Sequence, residues 1–310
     1  MAGPTPEAAR RRRGALLVAG AALCWSAGGL LARLADTGPW TTVFWRGVFC
    51  GAFLLIVLAA RYRARVVHAF RAMGPPGVVM AFCFSCASIG FILALSRTSV
   101  ANVLIILSTG PFIAGVLGWL WLGERVLGRT WIAMGAALAG TMVMVSGSWA
   151  SGTASGDLLA LLVAALFAAG AAIVRRHRDV PMLPAACLAS AITAAIAWPM
   201  AEPATAGPAD LALLMLFGAG QLGLGLILFT AGAPQIPVAQ ASLISVLECV
   251  LGPLWVWLAI GEEPGALSLV GGAVVLLALL AHAAADLGRG DGSGGSPSWV
   301  GQRKRSSTSI

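Results

Sequence analysis

Long apolar runs without charge are the feature that most restricts how this chain can fold. No charged residue occurs between Asp210 and Glu248, and the segment 232–237, with two prolines, divides that stretch into two blocks. Each block has about the twenty residues that a helix needs to cross roughly 30 Å of hydrocarbon. Barrel strands would need about 9–11 residues of alternating character. The runs therefore predict an all-α polytopic membrane protein.

Similar runs recur along the chain and leave little room for a soluble domain. Charged residues make up only 10% of the 310 residues, whereas a soluble domain has about 25%. This composition excludes soluble enzymes, fibrous proteins and disordered chains. We predict ten membrane-spanning helices, at about 14–34, 39–60, 76–96, 100–121, 129–147, 156–174, 182–199, 211–231, 238–260 and 266–285.

The positive charges predict the orientation. All basic residues except Arg33, Arg46 and Arg97 fall on one side of the membrane if ten spans alternate. They lie in the N-terminal segment, in the loops after spans two, four and six, and in the C-terminal tail. The positive-inside rule makes that side cytoplasmic. We therefore predict a protein of the bacterial inner membrane with both termini in the cytoplasm. The basic excess is thus a topology signal, which predicts contact with membrane lipids and no nucleic-acid partner.

An internal repeat divides the chain into two halves. Trp25 aligns with Phe167, 142 residues further on, and Gly123-Glu124 aligns with Gly261-Glu262 at an offset of 138. Each copy has five spans, an odd number, so the copies are expected to insert as two inverted five-helix repeats. Secondary transporters commonly have this construction, with a midplane binding site and alternating access.

The repeat also sets the predicted domain boundaries. We expect a basic cytoplasmic N-terminus at 1–13, a first repeat at 14–147, an outer linker at 148–155, a second repeat at 156–285 and a disordered cytoplasmic tail at 286–310.

Glu248 is the strongest candidate for a functional residue. It is predicted to lie deep in the ninth span, where an unpaired carboxylate costs at least about 2.5–3.5 kcal/mol. Such a group faces a polar cavity or carries a proton. It could bind a substrate amine or exchange a proton, and the alternative is a structural carboxyl hydrogen-bonded to the bundle.

Polar amides and a hydroxyl complete the candidate cavity lining. Asn102 and Gln240 are repeat mates near the starts of spans four and nine, and Gln221 stands among glycines in span eight. Amides bind polar solutes, but they also join helices to one another. Helix joining is favoured for Asn102 and Gln240, and neither reading is favoured for Gln221. Ser245 is included in the predicted cavity lining.

Two aromatic residues and one arginine are further candidates. Trp25 and Phe167 lie in the middle of spans one and six, where they could line a cavity or simply pack in the core. Arg46, near the outer end of span two, is a candidate gate or anion contact. Extension of its side chain to the outer headgroups is the simpler account.

Cysteines and histidines predict neither a metal nor a cofactor. The six cysteines lie inside apolar stretches, where free thiols act as small hydrophobic side chains. Cys83 and Cys86 form a C-x-x-C pair that lacks two further ligands nearby. His68, His177 and His282 have no acid, base or nucleophile constellation around them. An intramembrane enzyme is therefore disfavoured.

Four segments resemble the ten-helix carriers of the drug/metabolite transporter superfamily that have two EamA repeats. They are Pro111 to Gly-Glu124, Glu248 to Gly-Glu262, and the glycine-containing entries Trp131–Gly135 and Leu269–Gly272. The sequence departs from the family pattern at Cys249, where the family has proline. The resemblance covers about residues 14–285 and implies a secondary carrier, most similar to bacterial exporters of amino acids, including aromatic ones.

The function predicted from these features is export of small amphipathic metabolites, with amino acids favoured, by alternating access. Proton exchange at Glu248 is a candidate driving force, and the carrier is expected to act as a monomer or homodimer. A multidrug exporter, in which Glu248 attracts organic cations, is the alternative.

Overall fold

The computed structural model describes residues 6–122, 128–150, 152–177, 181–236 and 238–290, and every regular element in these ranges is helical. The first half of the chain folds into eight helices. They are α1 (Pro6–Ser26), α2 (Gly28–Leu34), α3 (Pro39–Tyr62), α4 (Val66–Ala72), α5 (Gly74–Leu95), α6 (Val100–Leu107), α7 (Gly110–Leu122) and α8 (Gly128–Ala150).

The second half contains six α-helices and a π-helical stretch. They are α9 (Ala154–Arg176), α10 (Met182–Ala197), α11 (Pro208–Met215), the π stretch (Leu216–Leu224), α12 (Gly225–Gly232), α13 (Val238–Ile260) and α14 (Ala266–Gly290).

Seven helical segments in the described residues are long and apolar enough to cross a membrane. They are Ala9–Leu34, Pro39–Ala72, Gly74–Leu95, Val100–Leu120, Thr130–Gly147, Met182–Met200 and Pro208–Gly232. Three shorter apolar helices, Ala154–Gly170, Leu247–Ile260 and Ala266–Ala281, coincide with the predicted sixth, ninth and tenth spans. All ten predicted spans thus correspond to apolar helices, and seven of these have the length and composition of a membrane-spanning segment.

The first span in the structure differs from the predicted span in two ways. Its helix begins at Pro6, ahead of the predicted span, because proline suits a first helical position and Glu7 pairs with Arg11 one turn later at 2.8 Å. The same span breaks at Ala27, between α1 and α2. Gly28 and Gly29 follow the break, and glycine is a weak helix former.

Large exposed apolar side chains cover the outside of the bundle. They include Leu16, Ile56, Leu120, Ile132, Leu258 and Leu277, each at least 65% exposed. Exposing this apolar surface to water would be strongly unfavourable, so the outside of the bundle is suited to contact with lipid.

The two halves pack mainly against each other. Helix α8 lies along α14, α3 along α10, α5 along α9, and α1 along both α12 and α13. Glycines permit the closest of these approaches. A Cβ at Gly140 would lie 2.6 Å from the Gly271 carbonyl oxygen, and one at Gly218 would lie 2.5 Å from the Arg46 carbonyl oxygen.

Two ends of the bundle can be distinguished. The end that carries Arg33, Thr98, Asp157 and Glu262 is named here the Glu262 end. The opposite end, named the Gly14 end, carries Gly14 and the segment around Gln235, which are in contact.

Candidate functional site

Glu248 lies at the middle of α13. Ile244, one turn before it, packs against the cluster that contains Val18 and Ile236, and Gly252, one turn after it, lies against the Ser26 carbonyl oxygen. Glu248 therefore lies on a helix that packs along α1, at the level of the second half of α1. Its residue surface is neither fully buried nor fully exposed. No hydrogen bond or ion pair of its carboxylate is found with the described residues.

An aromatic pair lies at a similar depth. The Trp25 and Phe229 rings have centroids 5.3 Å apart at an interplanar angle of 41°. Side chains in a helix lean toward its N-terminus, so the Trp25 ring extends from the end of α1 toward the level of Glu248. The indole Nε1 of Trp25 is buried and has no hydrogen-bond partner in the part of the chain that the structure describes. Gly225 makes room for this ring, since a Cβ there would overlap Nε1.

The predicted fourth span is interrupted in the middle of the bundle. Helix α6 ends at Leu107 and α7 starts at Gly110, with Pro111 as its second residue. Proline cannot donate a backbone hydrogen bond, so it favours a new helix start over continuation. The hydroxyls of Ser108 and Thr109 donate to the carbonyls of Ile105 and Ile106.

The interruption lies beside the Glu248 helix. The Cys249 thiol donates to the Leu104 carbonyl oxygen of α6 at 3.6 Å. Helix α13 is continuous through Cys249, and its proline is at Pro253.

Arg46 is buried rather than extended to a membrane surface. Only 4% of it is exposed. Its Nη1 donates to the Ser88 hydroxyl at 2.8 Å and its Nη2 to Gln221 Oε1 at 3.3 Å. The guanidinium lies 4.6 Å from the Phe217 ring centroid and 5.5 Å from that of Phe91. Buried in this way, it is stabilised by neutral dipoles and aromatic faces.

Gln221 connects this arginine to the break in the first span. Its Nε2 donates to the Trp25 carbonyl oxygen at 3.2 Å, close to the helix end at Ser26. Gln221 belongs to the π stretch, and such stretches occur often at functional sites. In this structure both ends of its amide are occupied by the protein, as expected of an amide that joins helices.

Asp157 is a buried carboxylate that the sequence analysis missed. It lies in the first turn of α9 and is fully buried. The Thr98 hydroxyl donates to its Oδ1 at 2.6 Å, and the Asn102 amide donates to both oxygens at 3.1 and 2.9 Å. Asn102 thus binds an acidic side chain of the other half. Asp157 was missed because a charge near a predicted span end resembles an interfacial residue.

An ion pair lies next to this group at the Glu262 end. Arg33 Nε donates to Glu262 Oε2 at 2.8 Å, and Arg33 Nη2 donates to the Thr98 carbonyl oxygen at 3.0 Å. Glu262 Oε1 accepts from the backbone N–H of Val100 at 2.8 Å. The carboxylate therefore stabilises the N-terminus of α6, in the other half of the chain.

The remaining candidates are Phe167, Gln240 and Ser245. Phe167 pairs with Phe84 of α5 at 5.7 Å between centroids, separately from the Trp25–Phe229 pair. Gln240 and Ser245 occupy α13, and their side chains lie outside the described residues. Phe229, which sequence reasoning also missed, joins Trp25 because α1 and α12 run in opposite directions.

Broken apolar helices, an aromatic pair and a mid-helix carboxylate with no partner among the described residues are typical of one class, that of helical membrane transporters. The sequence matches the model of the EamA-like transporter family over residues 12–146 and 154–282. The protein therefore belongs to the EamA-like transporter family, which confirms the resemblance to the drug/metabolite transporter superfamily.

Two individual relatives agree with this assignment. An uncharacterized transporter of Bacillus subtilis (strain 168), YwfM, is 27% identical over 283 residues, which are 87% of this chain and 93% of the relative. A solved crystal structure matches with a TM-score of 0.63 and 20% identity, covering 90% of this chain and 99% of its own. The second match supports the fold alone.

Proposed function

We propose that the protein is a secondary transporter that exports small amphipathic metabolites, with amino acids as the favoured class, across the bacterial inner membrane by alternating access. The observation that carries the proposal is Glu248, a carboxylate in the middle of an apolar helix with no partner among the described residues. The cost of placing such a group there is offset when a substrate amine or a proton binds.

Ten spans in two inverted repeats form the proposed architecture. The packing of the helices supports it: α5 pairs with α9 as α12 pairs with α1, while α8–α14 and α3–α10 each join helices at equivalent positions of the two halves. The aromatic pairs follow the same relation, with Phe84–Phe167 on one side and Phe229–Trp25 on the other. A twofold axis in the membrane plane would relate all of these pairs.

The Gly14 end is proposed to be cytoplasmic, and the Glu262 end to face outward. The arginine-rich segment between α3 and α5, with Arg61, Arg63, Arg65 and Arg71, belongs to the Gly14 end. Its charges favour retention on the cytoplasmic side.

The proposed binding region lies among Glu248, Trp25 and Phe229. The carboxylate would bind the substrate amine, and the aromatic rings would contact its apolar side chain. The resemblance of the sequence to bacterial metabolite exporters supports transport out of the cell. Proton exchange at Glu248 would couple export to the proton gradient.

Export of organic cations is the second candidate, and the aromatic pair beside a carboxylate favours it specifically. An organic cation that has no carboxylate needs no cationic partner in the site, whereas an amino acid brings a carboxylate that must be accommodated. Arg46 is the candidate anion contact, but its two Nη groups are already bonded to Ser88 and Gln221.

Counterflow in liposomes tests both candidates. Protein is reconstituted into liposomes loaded with a mixture of unlabelled amino acids, and uptake of radiolabelled amino acids or a labelled organic cation is followed with and without a pH gradient. We expect amino-acid counterflow in the wild type and at least a tenfold loss in Glu248→Gln. Glu263→Gln, an exposed carboxyl at the Glu262 end, is the matched control. Cation uptake without amino-acid counterflow would favour the second candidate.

A further inference from the structure

The polar residues at the Glu262 end tie the two halves of the chain together. This group is named here the Glu262 cluster and consists of Arg33, Thr98, Asn102, Asp157 and Glu262. Its main contacts cross between the halves: Arg33 with Glu262, the Val100 N–H with Glu262, and both Thr98 and Asn102 with Asp157. We infer that the Glu262 cluster is the outer gate of the carrier, held closed in this structure. The inference rests on the proposed alternating access.

The cluster has two layers. The Arg33–Glu262 pair is partly open to solvent, with side chains 29% and 24% exposed. Beneath it, Asp157 is fully buried and accepts hydrogen bonds from neutral donors of the described residues, the Thr98 hydroxyl and the Asn102 amide. An ion pair above a buried hydrogen-bonded carboxylate closes the end to water. Every bond in it must break for the halves to separate there.

The two acidic residues of the cluster, Asp157 and Glu262, belong to the second half and converge on one short segment of the first. Thr98 lies in the connection between α5 and α6, Ser99 is the N-cap of α6, and Val100 and Asn102 lie in its first turn. Glu262 binds the first N–H of α6, and Asp157 binds a side chain one turn into the same helix. The two contacts therefore hold α6 in place from its N-terminal end.

Helix α6 can transmit gate movement toward Glu248. It has only eight residues and ends at the Ser108–Thr109 interruption, so it can tilt without moving α7. Its Leu104 side chain fills the space above Gly252, where a Cβ would overlap it. Gly252 lies one turn from Glu248 on α13. Release of the cluster would thus alter packing next to the proposed binding carboxylate.

A disulfide across the gate gives the first test. A Cβ at Gly156 would stand 2.8 Å from the Thr98 Cβ, about 1 Å nearer than in a disulfide, so a small shift allows the bond. The double substitution Thr98→Cys and Gly156→Cys is made in a variant without the six native cysteines. Its counterflow rate should fall at least tenfold on oxidation and recover on reduction. Each single substitution is the control. Full counterflow in protein shown to be crosslinked would overturn the gate, while the transporter proposal would stand.

Thiol labelling gives a second test that needs no known substrate. Val256 is 1% exposed and lies between the Glu262 cluster and Gly252. In the same cysteine-free protein with Val256→Cys, a membrane-impermeant maleimide is added from outside. Glu262→Gln should raise the labelling rate about five- to tenfold, because the loss of a charge-assisted contact shifts the population toward the open gate. Glu263→Gln should leave it unchanged.

The two tests separate the two proposals. Faster labelling in Glu262→Gln together with no counterflow of any amino acid would support the gate and refute the proposed substrate class. Equal labelling rates in Glu262→Gln and Glu263→Gln would overturn the gate even if counterflow is normal.

Discussion

Gln221→Met is expected to destabilise the protein by about 2–4 kcal/mol. The change keeps an unbranched side chain of similar size but removes the acceptor of Arg46 Nη2 and the donor to the Trp25 carbonyl. Each buried group left unsatisfied costs about 1–3 kcal/mol. Both bonds are long, at 3.3 and 3.2 Å, so the lower half of that range applies to each. Arg46 Nε already lacks a partner among the described residues, so the arginine has no spare bond to compensate.

Thermal unfolding in detergent measures this effect. A change of 1 kcal/mol shifts the Tm of a large domain by about 2–4 °C, so the expected fall is roughly 4–16 °C. Gln235→Met is the matched control, because the Gln235 side chain donates to the carbonyl of Ala231 in its own segment, at an exposed position. Its Tm should stay within about 2 °C of wild type.

A double-mutant cycle tests the network itself. Arg46→Met combined with Gln221→Met removes both partners, so the pair should cost less than the sum of the single changes. A Tm for Gln221→Met equal to that of Gln235→Met, or strict additivity in the cycle, would refute the reasoning.

Three further predictions concern other parts of the bundle. Gly271→Ala should lower the Tm clearly, because the added Cβ would overlap the Gly140 carbonyl oxygen. Gly135→Ala should leave the Tm unchanged, because no described atom lies within 4 Å of a Cβ at that position. Equal Tm values for the two variants would contradict the tight α8–α14 crossing. Glu248→Gln should keep or raise the Tm while counterflow is lost, since no described partner is removed; a lower Tm would instead indicate a structural carboxyl. Trp255→Phe should cost about 1 kcal/mol, measured by the same unfolding assay, because the indole donates to the Ser26 hydroxyl at 3.1 Å, and an unchanged Tm would show that this bond adds nothing.

Several features of the fold could be predicted from local sequence. The positions of the apolar helices follow from run length alone, because a helix satisfies its own backbone in lipid and needs no partner to be recognised. The family also follows from short motifs around Pro111, Glu248 and Glu262. The depth of Glu248 in α13 followed from its distance along an uncharged run.

The hydrogen-bond and ion-pair partners of the polar residues could not be predicted from the sequence. Asn102 and Asp157 are 55 residues apart, and Arg33 and Glu262 are 229 apart. Sequence placed Arg33 and Arg46 at membrane surfaces because arginine at a span end normally reaches water. In the structure, neighbouring helices supply acceptors and aromatic rings that make burial of Arg46 acceptable.

By itself the sequence determined which segments are helical and apolar, that the chain is duplicated, and which family it belongs to. These properties are carried by each segment through its own composition and hydrogen bonding. The tertiary structure alone decided where spans break, which carboxylates have partners, and which aromatic rings meet. Those features depend on the rotation and depth of one helix against another, and close packing between distant segments sets both.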